Sequence, residues 1–157
     1  MIPIDDSFQV RVNVIKEVHS TETGELLRTE KTHNLFVDAG LNLIRDFFNG
    51  SVLTGFERFA IGTGTATVAA ANTQLQTEVF RDVFTQKTTA TKQLTVKYYL
   101  ASGSANGNTI TEAGIFGNGA TATINSGTLC ARVLFTADAK TSSEAWTYTW
   151  IFTFAAV

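Results

Sequence analysis

Gly62-Thr63-Gly64-Thr65 is the stretch of this chain that most invites chemistry, because glycines free backbone N–H groups to hold an anion such as a phosphate. A P-loop closes on Gly-Lys-Ser/Thr, and a dinucleotide loop needs G-x-G-x-x-G at the start of a helix. Thr67-Val68 stands where those residues would be, so the stretch reads as a flexible loop between strands. His19 and His33 are the only histidines. A hairpin turning around Glu22-Thr23 brings each to the other's strand, but two histidines without a close pair of carboxylates make a poor metal site. No G-x-S-x-G elbow offers a serine nucleophile, and Asp5-Asp6 and the Asp38/Asp46 pair lack calcium-loop spacing. Cys130 is the single cysteine, which excludes an internal disulfide and a thiol-based metal site. Within Leu129-Cys130-Ala131-Arg132-Val133-Leu134-Phe135 it reads as a small core residue. These residues supply no catalytic, cofactor-binding or metal-binding set, and the chain is expected not to be an enzyme.

Two acid–base pairs remain, and both point to structure. Glu78 and Arg81 lie three apart, a spacing that brings side chains together on a helix. Glu112 and Arg132 fall in neighbouring strands and can pair across them. At a surface such a pair contributes under about 1 kcal/mol. Buried at a contact it matters more, because removing one partner leaves the other charge stranded.

The elements that must position these residues are mostly strands. Trp146, Tyr148, Trp150, Phe152 and Phe154 recur at every second position, with Thr147, Thr149, Ile151 and Thr153 between them. Side chains alternate across a strand, so this spacing places five rings on one face and mostly threonines on the other. Phe8, Val10, Val12, Val14 and Val18 share one face of a first strand, broken by Lys16. Thr21 to Gly24 turns the chain, and Glu25 to Val37 returns as the second arm. Asp38 reads as an N-cap. Leu41, Ile44, Phe47 and Phe48 follow at helical spacing, and Asn49-Gly50 closes a helix over about 38–49.

Further strands are expected over Phe56–Ile61, Ile110–Phe116, Leu129–Phe135 and Ala145–Phe154, with a hairpin of Arg81–Thr89 and Lys92–Ser102. A weaker helical stretch covers Thr73 to Phe80, where Leu75 and Val79 lie four apart. The loops Gly62–Ala71 and Gly117–Gly127 are rich in small residues and are expected to be mobile in the free protein. The sum is an antiparallel β-sandwich of seven or eight strands with one helix, forming a single domain over residues 1–157.

Composition narrows the functions. Of 157 residues, 17% are charged and 44% hydrophobic, with 25 threonines and one proline. Such low charge implies that part of the surface is covered by other subunits. The net charge of −2 argues against a nucleic-acid-binding face, and Lys87, Lys92 and Lys97 read as solvated strand edges. The N-terminus, Met1-Ile2-Pro3-Ile4-Asp5-Asp6, lacks the basic start and apolar run of a signal peptide, and no stretch is long and apolar enough for a membrane helix. The chain is expected to be made and kept in a reducing cytoplasm until assembly.

The order Asn34-Leu35-Phe36-Val37-Asp38-Ala39-Gly40, helix, Phe59-Ala60-Ile61-Gly62-Thr63-Gly64-Thr65, then Thr73-Gln74-Leu75-Gln76-Thr77-Glu78-Val79-Phe80-Arg81 resembles small structural proteins of tailed bacteriophages. The later Ile110-Thr111-Glu112-Ala113-Gly114-Ile115-Phe116 and Gly127-Thr128-Leu129-Cys130-Ala131-Arg132 are similar to segments of tail-fibre and tail-collar-like proteins. The resemblance spans roughly residues 34–154 through short, degenerate motifs. It implies a β-rich, non-enzymatic virion protein: a tail, collar/adaptor or capsid-decoration subunit. Its partners would be its own copies, in a ring or trimer, and other virion proteins. The alternative is a host-surface carbohydrate-binding module of a tail fibre, with Trp146, Tyr148 and Trp150 stacking on sugar rings. An outer-membrane barrel, which also suits an aromatic terminal strand, and an enzyme are weaker readings.

Overall fold

The computed structural model describes residues 8–52 and 54–156. The Met1–Asp6 reading and the Asp5-Asp6 pair lie outside the described residues. In chain order the elements are β1 (Phe8–Ser20), β2 (Leu26–His33), β3 (Leu35–Phe36), α1 (Asp38–Phe48), β4 (Phe56–Gly62) and β5 (Glu78–Val83), then β6 (Gln86–Ala90), β7 (Gln93–Leu100), β8 (Thr109–Gly117), β9 (Thr128–Ala139) and β10 (Glu144–Ala156). They form two antiparallel five-stranded sheets, ordered β2-β1-β10-β7-β6 and β3-β9-β8-β4-β5. The mainly β sandwich with one helix is as the sequence reads.

The strand count rises to ten for one reason, met twice. Glu25–Val37 is not a single strand: it leaves the first sheet after His33 and enters the second at Leu35, pairing with Arg132. Arg81–Thr89 does the reverse. Its first part pairs with β4 in the second sheet, and after Phe84-Thr85 the chain joins β7 in the first. Each edge of the sandwich is thereby tied by one segment that crosses between sheets, as corner strands do in closed sandwiches.

The core lies between the sheets. Val12, Val14 and Val18 from β1 and Trp146, Tyr148, Trp150 and Phe152 from β10 meet Phe59, Ile115, Val133 and Phe135 from the opposite sheet. The Phe59 ring stacks on Tyr98 at 4.7 Å and lies 4.8 Å from Tyr148. Offset and tilted aromatic contacts of this kind add to the area term. Lys16, the break in the apolar face of β1, is also buried. Its ammonium bonds Glu30 and Asp138, each at 3.1 Å, and lies 5.2 Å from both the Phe135 and Trp146 rings. Two carboxylates and two ring faces replace the water that a buried cation loses.

Helix α1 packs on β9. A Cβ on Gly40 would collide with the Cys130 backbone, so glycine sets the depth of that contact. Val37, in extended conformation and without a side-chain cap bond, is the N-cap residue, one position earlier than the Asp38 that the sequence suggests, and Asp38 opens the first turn. Asn49 is the C-cap, and Gly50 takes the left-handed conformation (φ 73°) that stops the helix.

Candidate interaction surface

The anion beside Gly62 and Gly64 belongs to the chain itself: Gly64 donates a backbone N–H to it and Gly62 leaves room for it. Glu112 on β8 accepts from Gly64 N (3.1 Å) and Thr77 N (2.8 Å) with Oε1, and from Gln76 N (3.1 Å) and Arg132 Nε (2.8 Å) with Oε2. A Cβ on Gly62 would sit 2.6 Å from that carboxylate, and one on Gly64 would collide with Glu112 and Gln76. Arg132 lies diagonally across from Glu112, because Glu112 is opposite Leu134 and Gly114 is opposite Arg132. The guanidinium extends to Asn72 Oδ1 and Ala66 O, both at 3.0 Å. These bonds fall within segment 62–77, which includes the Gly62–Ala71 loop expected to be mobile in the free protein. Its polar groups are bound by side chains contributed from β8 and β9.

The Glu78–Arg81 pair forms too, on a strand rather than the expected helix. Gly62 is opposite Glu78 and Ile61 opposite Phe80, which leaves Val79 as a bulged residue. The bulge returns Glu78 to the same face as Arg81, whereas regular alternation would separate residues three apart. Arg81 Nη2 donates to Glu78 at 2.7 Å, Nη1 to Ser126 O at 2.9 Å, and the guanidinium carbon lies 4.4 Å from the Phe116 ring centre. Glu78 Oε2 also accepts from Asn125 N at 3.1 Å. This pair pins segment 117–127, the second loop expected to be mobile. In the same way the buried Lys140 ammonium gathers loop 101–108 by donating to Ser102 O (3.2 Å) and Asn106 Oδ1 (3.1 Å). Burial pulls that ammonium below its ordinary pKa.

Each of these charges is engaged by hydrogen-bond partners within the protein. His33 is opposite Asn13 and His19 opposite Leu26, so the two histidines stand apart along β1 rather than converging. Among the described residues no group of three His, Cys, Asp or Glu side chains is placed to hold a metal ion. Burial pushes the Cys130 thiol up to about 12, so it is no thiolate nucleophile at neutral pH. Trp146, Tyr148 and Trp150 are buried between the sheets, so they present no face to a sugar.

What the surface does offer is an apolar hollow where the open end of the sandwich meets α1. Helical spacing turns Gly40 and Leu43 inward; Phe47, on that face but in the last turn, and Leu41 and Phe48 beside it are exposed, the last at 78%. The first residues of β1 and the last of β10 form the facing wall. Phe8 is opposite Ala156 and stacks on Phe154 with centroids 6.1 Å apart. Phe56 and Phe152, at 5.0 Å, make the floor. The hollow measures about 370 Å³ and adjoins a second of about 420 Å³, with Phe8, Val10, Ile44 and Phe48 lining both. Among the described residues lining the two hollows Arg45 is the charged one, and its guanidinium is held at 2.7 Å by the neighbouring Asp46. Leu41, Ile44, Phe47 and Phe48 were legible as one helix face; that Phe8 and Phe154 would join them required the β1–β10 register. No family model, curated protein or solved structure matches the chain.

Proposed function

We propose that this chain is a non-enzymatic structural subunit of a tailed-bacteriophage virion that acts through protein–protein contacts in a multimeric assembly. The observation that carries the reading is the apolar hollow beside α1, rimmed by Phe8, Leu41, Phe47 and Phe48. Contiguous apolar surface on an otherwise polar exterior marks interaction sites. The side chains best equipped for chemistry, Glu112, Arg132, Glu78 and Arg81, are committed to holding loops. The phage assignment rests on the sequence resemblance over residues 34–154, which covers tail, collar and capsid-decoration roles alike. The carbohydrate-binding alternative loses the rings that suggested it, because they are core.

Gold-labelled antibody against the chain, viewed by electron microscopy on particles from the phage lineage that encodes it, tests the proposal. Labelling at a fixed position on every particle is the expected result. Particles that carry none of the chain would end the reading.

A further inference from the structure

We propose that the hollow beside α1 is the seat of a second copy of this chain, docked across a two-fold axis so that each copy's Phe48 ring enters the other's hollow. The inference builds on the structural-subunit reading by naming the partner for that surface. A two-fold contact uses the same patch on both copies and needs a projection and a recess side by side. Phe48 is that projection. It lines two adjoining hollows of about 370 and 420 Å³, whereas a cavity of about 150 Å³ already takes up benzene.

Area and charge favour a copy of the chain over a different partner. Phe8, Phe47 and Phe48 are 61%, 53% and 78% exposed, which at about 200 Å² per ring is roughly 400 Å² of apolar surface. A standard interface buries about 800 Å² per partner around an apolar centre, so these rings supply the centre and the helix flank supplies the rim. Any net charge near a two-fold axis meets its own image and repels. Among the described residues that line the two hollows Arg45 carries the one charge, and it is paired with Asp46 and hydrogen-bonded to Asn42 at 3.1 Å. A partner recognised by charge would find little to grip.

Sedimentation velocity of the purified full chain at micromolar concentrations tests the proposal. The expected species has twice the 17.0 kDa chain mass. Phe48→Asp places a carboxylate in the partner's hollow and should weaken association by about 30-fold or more, the loss typical of a central anchor. Leu41→Asp, on the same rim and half exposed, repeats the test should Phe48→Asp fail to fold. Leu26→Asp is the control: Leu26 is equally exposed but lies opposite His19, at the far end of β1 from Phe8, and should leave the dimer unchanged. A wild-type chain that stays monomeric, one that forms a trimer or ring, or a dimer indifferent to both rim variants overturns the two-fold contact. Those outcomes leave the virion reading standing, and unlabelled particles would sink that reading without touching the dimer.

Discussion

Strands β10 and β8 hold equivalent places, each at the centre of its sheet, yet they are buried in different ways. In β10 the rings of Trp146, Tyr148, Trp150 and Phe152 point inward, while Thr147, Ile151 and Thr153 on the other face are half-buried. In β8 every residue from Ile110 to Gly117 is buried. The outer face of β8 carries a third layer: Leu75 from segment 62–77, Ala120 from segment 117–127, and Val37 at the start of α1 pack with Phe116 and Leu129. Gly114 makes room for it, since a Cβ there would lie 3.0 Å from the Leu75 side chain. A sheet can thus be closed by another sheet, which brings its own hydrogen-bond ladder, or by loops, which bring unpaired backbone groups. The second solution needs buried charges, and Glu112 and Arg81 meet that need.

Glu112→Ala should break the covered side outright. It strands the Arg132 guanidinium, a loss of about 3–5 kcal/mol when one member of a buried pair goes. It also leaves the N–H groups of Gly64, Gln76 and Thr77 without their acceptor, each costing about 1–3 kcal/mol where water cannot replace it. Together these approach the 5–15 kcal/mol that typically separates folded from unfolded states, so the variant should be largely unfolded in circular dichroism at ambient temperature. Arg132→Met should be milder, because the three N–H donors still reach the carboxylate. Equal losses from the two variants would show that the ion pair, rather than the cradle of backbone donors, orders segment 62–77.

Trp150→Ala probes the other central strand and ranks second. It removes a fully buried ring and leaves a cavity, typically about 3–5 kcal/mol. Thr149→Ala, one residue along and on the outer face, should cost about 1 kcal/mol or less. Thr149 is more covered than alternation alone implies, at 8% exposure, because Ile15 and Lys97 flank it from the neighbouring strands. Denaturant midpoints of the two variants measure the contrast. Similar losses would mean that the outer face of β10 is packed as β8 is.

The same contrast explains what the sequence disclosed. Strand β10 was legible because alternation between a wet and a dry face writes itself into residue type. The core rings, the first hairpin and α1 followed for the same reason. Segment 73–80 was misleading because Leu75 and Val79, four apart, suggested a helix stripe. Leu75 instead packs over the outer face of the second sheet, and the bulge turns Val79 toward the inter-sheet core. The sheet crossings at Asn34 and Phe84-Thr85 were hidden because both halves of each segment are extended, and only the pairing partner changes. Both ion pairs could be named from the sequence, Glu112–Arg132 from neighbouring strands and Glu78–Arg81 from a helical spacing whose pairing a bulge in β5 reproduces. Their burial could not, because it is created by loops whose own composition is unremarkable. The hollow beside α1 was half legible: its helix face shows in the periodicity, and its wall depends on register.

The smallest expected effect concerns charges at the margin of the sandwich, where Arg28 on β2 links the two sheets. Its guanidinium bonds Asp138 on β9 at 2.7 and 2.9 Å and Glu144 at the start of β10 at 2.7 and 2.8 Å. Burial raises the Asp138 carboxyl, but the bonds from Arg28 and Lys16 outweigh it and hold it below its ordinary 3.8. Arg28 likewise holds Glu144 below its ordinary 4.5, against a smaller opposing effect of burial. A carboxyl whose folded pKa is depressed contributes stability that is fully present above its unfolded value and is lost as pH falls through the folded one. Stability from this cluster should therefore be constant near neutrality and decline as pH drops below 4.5 and then 3.8. Arg28 is 39% exposed and solvent screens it, so the contribution is about 1 kcal/mol or less and shrinks further in high salt. Urea midpoints of the wild type and Arg28→Ala across the acidic range measure it. Wild type should lose more stability than the variant over that interval, and parallel curves would show that Arg28 holds neither carboxylate. A salt-insensitive difference would place this margin with the buried charges of β8, and the contrast between a covered sheet and an open one would no longer extend to its edge.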